Sequence, residues 1–368
     1  MSKEFIIGKT KVGAKNPCFI IAEIGINFNC NFENALKLID AAANAKCNAV
    51  KFQLFSAEKM YIPGAGEDKS GNGRKKDIYK IVKEGELPVA WIPKLKEYAN
   101  KKGLEFICTA CDEDGADTLE KYGTDAFKIA SYEITHIPLL RHIAKKNKPV
   151  IFSCGGSVIK EVCEATEIFE KENNNQAALL HCVSNYGAEP SLLNLNVISM
   201  FKSAFPNFVI GYSDHSADPV KAPVAAIGLG AKIIEKHITL NKKMPGPDHF
   251  FALEPKELEL MVKAVRKAEA RIKKGAKVEI SSELLGTTER KTYEQEAIPR
   301  SFAFRCIFAI KNIKKGEIFN KNNIAVLRPG NEKRGLDPKY FEILTDGHRA
   351  TRDIFQHKSI AWDDVLLK

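Results

Sequence analysis

The stretch Ala49-Val50-Lys51-Phe52-Gln53 sets the pattern from which the fold of this 368-residue chain can be predicted. It is a short run of β-favouring apolar residues that carries a lysine and a glutamine. Further runs of the same kind occur at 19–23, 105–109, 126–130, 150–153, 178–182, 208–211 and 232–235. Longer amphipathic segments separate them, such as 34–43, where Leu36, Ile39 and Ala42 fall on one side of a helix.

Eight strand–helix units within about 270 residues match the size and pattern of a (β/α)8 barrel. A doubly wound open sheet would also alternate strands and helices. Eight repeats, with no Gly-x-Gly-x-x-Gly motif after the first strand, favour the barrel. We therefore predict an α/β fold with a TIM barrel over residues 1–280.

The pattern changes after the last helical stretch of the barrel. Residues 281–299 are polar and lack a clear periodicity, which is typical of a linker. From residue 300 onward, short β-like runs alternate with turns, as in 302–308 and 314–317. We predict a second, small β-rich domain over 300–368.

Composition and cysteine content indicate a protein that works inside the cell. The chain is 44% hydrophobic and 28% charged, as is usual for globular proteins. Residues 1–4 begin no long apolar segment, and the longest apolar runs have strand length, so we expect a cytoplasmic protein with no membrane association. Nine cysteines favour free thiols, because their number is odd and no export signal is seen. The pair Cys108 and Cys111 has redox or zinc spacing, but 105–109 also predicts a buried strand and no second pair completes a zinc site.

The formal net charge of +10 allows two interpretations. A nucleic-acid-binding protein would cluster its basic residues on one face, with aromatic neighbours. Here the lysines mostly come in pairs on helical stretches, such as Lys101-Lys102 and Lys145-Lys146, which is typical of solvated faces and helix C-termini. We expect no nucleic-acid partner and favour attraction of an anionic small substrate.

Reactive side chains stand at the predicted end of every strand, where TIM barrels carry their chemistry. They are Glu23; Lys51 and Gln53; Thr109; Lys128, Ser131 and Glu133; Ser153; Ser184 and Tyr186; Ser213, Asp214 and His215; Glu235 and His237. A lysine within an apolar strand must bury its stem, which costs free energy unless an anion compensates the charge.

Each of these residues also has a purely structural explanation. A strand-end hydroxyl can cap a helix, a histidine can be a hydrogen-bonded core residue, and a lysine can pair with Glu23 or Glu133. Their coincidence favours a site, because two lysines with several hydroxyls form a cradle for phosphate and carboxylate groups. Two histidines on adjacent strands can bind one divalent metal. Residues 213–215, Ser-Asp-His, are not a hydrolase triad, because three consecutive residues cannot adopt its geometry.

With these residues laid out, the chain resembles the sialic acid synthase family, which condenses phosphoenolpyruvate with N-acetylmannosamine or related sugars. The matching motifs follow the family's order at 22–27, 50–53, 127–133, 181–182, 211–216, 235–237 and 245–249. The segments 314–317 and 328–330 resemble the antifreeze-like (SAF) domain that these synthases carry. The residues at 110–113 and 325–330 are similar to those of the spore coat polysaccharide biosynthesis protein E branch of this family.

The resemblance implies a role for each site residue. His215 and His237 would bind Mn2+, or another divalent metal such as Mg2+ or Co2+, and Glu23 would act near the reacting carbons as an acid/base or water-positioning group. Phosphoenolpyruvate would be held by two lysines and four hydroxyl residues: Lys51, Lys128, Thr109, Ser131, Ser153 and Ser213. The two lysines would also be catalytic residues. The sugar would contact Gln53, Glu133, Tyr186 and Asp248. Phe302 and Arg328 would come from the small domain of a partner subunit, because the family forms a domain-swapped homodimer.

Three positions depart from the family's pattern. Phe28 stands where the family usually has a histidine, and Ser184 stands where an asparagine is common. Asn72 lies near the position of the family's sugar-binding asparagine, with a different spacing to Tyr79. We include Ser184 and Asn72 in the predicted substrate site, and we expect these changes to affect the choice of sugar rather than the reaction.

We therefore predict a synthase that condenses phosphoenolpyruvate with N-acetylmannosamine or 2,4-diacetamido-2,4,6-trideoxymannose. Its product would be N-acetylneuraminate or legionaminate, a nine-carbon 2-keto acid, plus phosphate. One alternative is a synthase for another aldose or a phosphorylated aldose, but no strand end supplies an obvious extra Arg or Lys pair for a sugar phosphate. Another is a non-catalytic carbohydrate- or ice-binding protein, which would leave the buried lysines and histidines unexplained.

Overall fold

The structure, a computed structural model, describes residues 3–67 and 77–366. A hairpin of β1 Glu4–Ile7 and β2 Thr10–Gly13 comes first. Within the described residues, eight parallel strands then close a barrel in chain order. They are β3 Phe19–Gly25, β4 Ala49–Leu54, β5 Glu105–Ala110, β6 Ala126–Ile129, β7 Val150–Ser153, β8 Ala177–Cys182, β9 Val209–Asp214 and β10 Ile233–His237. The predicted TIM barrel is confirmed.

Helices cover the outside of the barrel, and each strand is followed by at least one. They are α1 Phe32–Asn44, α2 Ala57–Met60, α3 Ile78–Glu84, α4 Ile92–Lys101, α5 Glu113–Lys121, α6 Ile137–Lys145, α7 Ile159–Lys171, α8 Asn196–Ala204, α9 Lys221–Gly228 and α10 Pro255–Lys273. Local capping fixes where several begin: the side chain of Asn31 accepts a hydrogen bond from the Asn34 N–H at 3.0 Å at the start of α1. No helix in the described part of the chain is both long and apolar enough to cross a bilayer.

The alternation of side chains along the strands decides what reaches the barrel interior. The lower interior is apolar, and the hairpin residues Phe5, Ile7 and Val12 pack against it from below. Polar residues occupy the next inward position: Lys51 comes two residues after the buried Ala49, and Thr109 two after Ile107. The barrel interior therefore has an apolar lower layer and, above it, a polar layer at the C-terminal ends of the strands.

The chain then crosses the C-terminal mouth of the barrel. Helices α11 Ser282–Leu285 and α12 Ala297–Ala303 lead to β11 Cys306–Ala309, which pairs antiparallel with β12 Ile324–Leu327. The small domain is completed by α13 Phe341–Thr345, β13 Arg349–Ala350 and β14 Val365–Leu366, around its own apolar core. The β-like run predicted at 302–308 is corrected, because helix α12 continues to Ala303. Pro299 permits this helix, since it lies in the first turn, where backbone N–H groups have no intrahelical partner.

Seven of the nine cysteines are buried. All nine lie in described residues and are free. Cys108 and Cys111 are both buried, and Cys108 is part of strand β5, so the predicted strand is confirmed at this position.

Candidate active site

A cavity opens at the C-terminal ends of the barrel strands, and most of the predicted site residues line it. Those residues are Glu23, Lys51, Gln53, Thr109, Lys128, Ser131, Ser153, Ser184, Tyr186, Ser213, His215, His237, Asp248 and Arg328. Glu235, Cys182 and Tyr132 also line it, together with an apolar group of Ile26, Phe55, Met60, Ile81 and Val82. Asn72 lies outside the described residues.

Two glutamates and a lysine form the floor of the cavity. Lys51 Nζ lies 2.7 Å from Glu23 Oε2 and 3.8 Å from Glu235 Oε2, and the β3–β4 register pairs Lys51 with Glu23 directly. Gln53 Nε2 donates to Glu23 Oε1 at 2.6 Å. Burial raises the pKa of Glu23, which Lys51 only partly offsets. Burial alone would lower the pKa of Lys51, but the two glutamates raise it, so this lysine stays charged.

Lys128 is bonded differently from Lys51. Its Nζ donates to Ser153 Oγ at 2.6 Å and to the Ile129 carbonyl at 3.0 Å, both of which are neutral oxygens. Burial lowers the pKa of Lys128. Glu235 accepts from Ser213 Oγ at 2.9 Å through Oε1, and its Oε2 has no hydrogen-bond partner among the described residues. An anion bound here would gain a buried ammonium group whose charge is not directly paired.

The two predicted metal ligands face each other on the adjacent strands β9 and β10. The ring centroids of His215 and His237 are 5.4 Å apart. His215 Nδ1 lies 3.0 Å from the Val183 carbonyl, which can only accept, so this nitrogen carries the proton and Nε2 is free to bind a metal. Burial lowers the pKa of His237 well below its usual value, which keeps the ring neutral. Burial would also lower the pKa of His215, but Cys182 and the Val183 carbonyl raise it to about 9, so a metal that binds at Nε2 has to displace a proton there.

These histidines fit a divalent metal. His237 Nδ1 is buried without a hydrogen-bond partner in the described structure, as expected of a nitrogen that is kept for a ligand. No group of three or more His, Cys, Asp and Glu side chains is placed to hold a metal in residues 3–67 and 77–366. The remaining ligands would therefore be oxygen atoms of water or substrate, as in catalytic sites with open positions.

A loop after β10 supplies the predicted sugar-binding residue Asp248. Burial, and then Glu23, raise the pKa of Asp248 to about 6. The next residue, His249, anchors the loop, because its ring bonds to Thr239 Oγ1 at 2.7 Å and to Asn29 Oδ1 at 3.1 Å. Phe28, the departure from the family's histidine, is fully buried and is not among the residues that line the cavity. It does not shape the pocket by direct contact.

A buried ion pair joins the ends of strands β9 and β10 next to the two histidines. Lys236 Nζ on β10 lies 2.6 Å from Asp214 Oδ2 on β9, and both side chains are almost fully buried. Asp214 Oδ1 also accepts from the Tyr212 hydroxyl at 3.1 Å and from the Ser216 N–H at 2.8 Å. Because Asp214 precedes His215 and Lys236 precedes His237, this pair fixes the spacing of the two rings.

Two of the predicted site residues do not line the cavity. Glu133 is fully buried and is not among the cavity-lining residues, because its carboxylate is covered by Arg328 Nη2 at 2.8 and 3.0 Å and by Arg305 Nε at 3.0 Å. Phe302 is half-buried on α12 and does not belong to the cavity lining either. Arg328 does line the cavity.

Three further residues at or near the site have no predicted role. Glu235 was placed at the end of the eighth strand without a role, although its position two residues before His237 predicts that both point inward. Arg305 and Glu296 have no local pattern that marks them, because their partners in the barrel lie more than a hundred residues away in the chain.

Comparisons with known proteins show sequence and structural similarity over almost the whole chain. The family model described as NeuB family matches residues 38–277, and that of the SAF domain matches 304–366. The chain is 49% identical over 364 residues to the spore coat polysaccharide biosynthesis protein SpsE of Bacillus subtilis, covering 99% of this chain and 98% of that protein. It is 32% identical over 360 residues to the N,N'-diacetyllegionaminic acid synthase of Legionella pneumophila, covering 96% of each. The crystal structure of the Bacillus subtilis SpsE superposes with a TM-score of 0.90 at 48% identity over 99% of both chains.

Proposed function

This chain belongs to the NeuB family of phosphoenolpyruvate-dependent condensing enzymes, and we propose that it joins phosphoenolpyruvate to an N-acylated mannosamine-type aldose. The products are a nine-carbon 2-keto acid and inorganic phosphate. The observation that carries this proposal is the pair of buried lysines, Lys51 and Lys128, beside strand-end hydroxyls at the mouth of the barrel.

Phosphoenolpyruvate binds in the cradle made by the two lysines and the hydroxyls of Thr109, Ser153 and Ser213. The phosphate and carboxylate groups give Lys128 the anionic partner that its neutral contacts lack. Lys51 already balances Glu23, so it positions that carboxylate as well as the substrate. The hydroxyls donate to anionic oxygens in directions that fix the plane of the enol.

The metal in this proposal is Mn2+, which His215 and the neutral ring of His237 would hold. When bound, it supplies Lewis-acid polarisation of the acceptor aldehyde. The Val183 carbonyl keeps the His215 ring in the tautomer that leaves Nε2 open. The ion pair of Asp214 and Lys236 holds the two rings at the separation that the site requires.

The reaction forms one carbon–carbon bond, and at carbon 2 it replaces the bond to the bridging phosphate oxygen with a bond to the oxygen of water. Carbon 3 of phosphoenolpyruvate bonds to the aldehyde carbon, and the aldehyde oxygen takes up a proton to become a hydroxyl. Carbon 2 is left with positive character, and water adds there and loses a proton. The bond between carbon 2 and the bridging phosphate oxygen then breaks, the new hydroxyl loses its proton to the phosphate, and a ketone remains.

Glu23 is the residue placed to act on the added water. Its carboxylate lies between Lys51 and Gln53 at the floor of the cavity. A negative charge there stabilises the positive character at carbon 2, and its raised pKa suits it to accept a proton from the water. Both effects are strong in this site because the surroundings are buried.

The outer wall of the cavity favours a neutral, N-acylated sugar. Its described lining is largely apolar, with Gln53, Tyr186 and Asp248 as hydrogen-bonding groups. Arg328 is already bonded to Glu133, so the described wall offers no further pair of unbound cations for a sugar phosphate. Apolar side chains suit acetamido and deoxy methyl groups. This favours 2,4-diacetamido-2,4,6-trideoxymannose, which gives legionaminate, over N-acetylmannosamine.

The test is phosphate release from phosphoenolpyruvate with a panel of N-acylated hexoses, with and without Mn2+. We expect release only when a mannosamine-type acceptor and the metal are both present, with the diacetamido sugar having the higher kcat/KM. Release at the same rate without any sugar, or only with phosphorylated aldoses, would contradict the proposal.

A further inference from the structure

We infer that Asn29 is a positioning residue for the sugar acceptor, because it fixes the loop that carries Asp248. Asn29 lies in the turn of residues 26–31, here called the β3 turn, which connects strand β3 to helix α1. The loop that it fixes spans residues 245–249 and is here called the Asp248 loop. The inference rests on the proposed function, since that function assigns Asp248 to the acceptor.

The backbone of the β3 turn has a conformation that most side chains disfavour. Asn29 and Cys30 both have a φ of 50°, in the left-handed region. Asparagine tolerates this region better than most residues do, but cysteine has no such advantage. Each residue of this kind costs free energy and persists only where the surrounding contacts compensate for it, and such strain is concentrated at functional sites. The contacts of these two residues therefore indicate the role of the turn.

The Asn29 side chain crosses to the Asp248 loop and bonds to both of its ends. Its Nδ2 donates to the carbonyl of Pro245 at 3.0 Å, and its Oδ1 lies 3.1 Å from Nε2 of His249. Both partners are more than 200 residues away in the chain. Asp248 lies between the two bonded positions, so a single amide group fixes the loop on either side of this carboxylate.

The order of the hydrogen bonds gives the amide and the imidazole one arrangement. The Pro245 carbonyl can only accept, so it faces the NH2 group of Asn29, and Oδ1 is turned toward His249. Nε2 of His249 therefore carries the proton, and Nδ1 accepts from the Thr239 hydroxyl at 2.7 Å. Burial lowers the pKa of His249, which favours the neutral ring that this arrangement requires. The link from Thr239 through His249 to Asn29 thus has one donor for each acceptor.

The Asp248 loop packs directly against the ring that Asn29 holds. Gly246 has a φ of 149°, and a Cβ atom at this position would lie only 2.7 Å from Cδ2 of His249. Glycine therefore allows the backbone of the loop to approach the imidazole closely. On the cavity side, Asp248 Oδ2 lies 3.9 Å from Nδ1 of His237. A shift of the loop would therefore move the Asp248 carboxylate relative to the two histidines.

The other side of the β3 turn contacts the end of helix α3. Sγ of Cys30 lies 2.7 Å from the carbonyl of Glu84, which is the last residue of this helix. Ile26 reaches the same place, because a Cβ atom on Gly85 would lie 3.2 Å from its Cγ2. The turn is therefore packed between the Asp248 loop and α3.

The β3 turn thus contacts two parts of the wall that would surround the acceptor. Ile81 and Val82 of α3 belong to the apolar part, and Asp248 supplies a hydrogen-bonding group. Consecutive residues reach the two parts, Asn29 on the side of the loop and Cys30 on the side of the helix. The groups assigned to phosphoenolpyruvate come from β4, β5, β6, β7 and β9 or the residues next to them. A change in the turn should therefore act on the acceptor.

The test is Asn29→Gly, which removes the side chain and relieves the backbone strain at the same time. We expect the KM of the acceptor to rise about tenfold or more, with the KM of phosphoenolpyruvate unchanged, because the Asp248 carboxylate loses its fixed position. Asn173→Gly is the matched control and should behave as wild type, since Asn173 has a φ of 55°, is exposed and does not line the cavity. An unchanged acceptor KM in Asn29→Gly, or equal rises in both KM values, would overturn the inference.

A double variant separates positioning from a general loss of structure. If Asn29 acts through Asp248, then Asn29→Gly/Asp248→Asn should have the same acceptor KM as Asp248→Asn alone. A further rise of the acceptor KM in the double variant would show that Asn29 acts by another route and would contradict the inference.

Hydrogen–deuterium exchange distinguishes a failure of the inference from a failure of the proposed function. Exchange is compared between wild type and Asn29→Gly in a peptide over 241–251, with strand β8 as the reference. We expect faster exchange in Asn29→Gly in the first peptide only. If wild type releases no phosphate with any acceptor, the proposed function is wrong, and faster exchange still supports the role of Asn29 in fixing the loop. Equal exchange in the two proteins would overturn that role whatever the activity.

Discussion

The two lysines at the floor of the cavity differ in how far neighbouring groups compensate their charges. Lys51 lies against Glu23 and within 3.8 Å of Glu235, so its charge is compensated in the free enzyme. Lys128 instead bonds to a serine hydroxyl and a backbone carbonyl. Lys128 therefore has more to gain from an anionic substrate than Lys51 has.

We predict that Lys128→Met lowers kcat/KM for phosphoenolpyruvate by about a hundredfold or more, because the anion loses a buried charged donor. The midpoint of unfolding should not fall, since an apolar side chain of similar size can replace a buried charge without loss of stability. Steady-state phosphate release and urea titration measure the two quantities. Lys243→Met, at an exposed position near the mouth, is the matched control and should behave as wild type. Near-normal turnover by Lys128→Met would show that the cradle is wrongly assigned.

A second prediction at this scale concerns pH. The pKa of Asp248 is raised to about 6, so this carboxyl takes up a proton as the pH falls through that value and no longer accepts a hydrogen bond as an anion. We expect kcat/KM for the sugar to decline below about pH 6, approaching tenfold per pH unit. Asp248→Asn should be slow and should lack this limb. A wild-type profile that stays flat from pH 7 to well below 6 would rule out an ionised Asp248 in binding.

The alternation of side chains along strands explains how much of the site was predictable. Because every second residue points inward, runs such as 49–53 and 126–130 place their lysines above an apolar layer, and the structure confirms this. The hydrogen bonds of Glu133 were not predictable, because its two arginine partners come from a domain more than 170 residues later in the chain. Local periodicity carries no information about such a distant contact.

The buried ion pair between β9 and β10 leads to a prediction about these elements. Asp214→Asn should cost about 3–5 kcal/mol of unfolding free energy, because Lys236 keeps a buried charge without its partner. It should also weaken Mn2+ binding about tenfold or more, since the two histidines lose their fixed spacing. Denaturant titration and electron paramagnetic resonance of free Mn2+ measure these effects. Asp214→Leu/Lys236→Met should recover stability, and a single variant as stable as wild type would contradict the account.

At the scale of the whole molecule, a barrel supplies the reacting groups and a small domain covers them. The apolar lower layer and the hairpin beneath it close the barrel at one end. The linker and Arg328 close it at the other. Exclusion of water strengthens the electrostatic effects on the substrates and limits loss of the reactive enol to solvent. The sequence predicted the order of the two domains, but not the contacts of Glu296 and Arg305 with the barrel, because their partners there lie more than a hundred residues away in the chain.

We predict that the metal is readily removed without loss of the fold. Two histidines are a small protein ligand set, so EDTA should abolish phosphate release, and added Mn2+ should restore it. Circular dichroism should show the same helix content in both forms, because the histidines lie on strands held by the barrel itself. Full activity in demonstrably metal-free protein would remove the metal from the account.

Mass spectrometry of the product formed from phosphoenolpyruvate and the diacetamido acceptor shows directly whether the two substrates are joined. We expect one new compound, whose mass equals the sum of the acceptor and pyruvic acid, in equal amount to the phosphate released. Separate pyruvate and unchanged sugar, with phosphate release that does not depend on the acceptor, would contradict it.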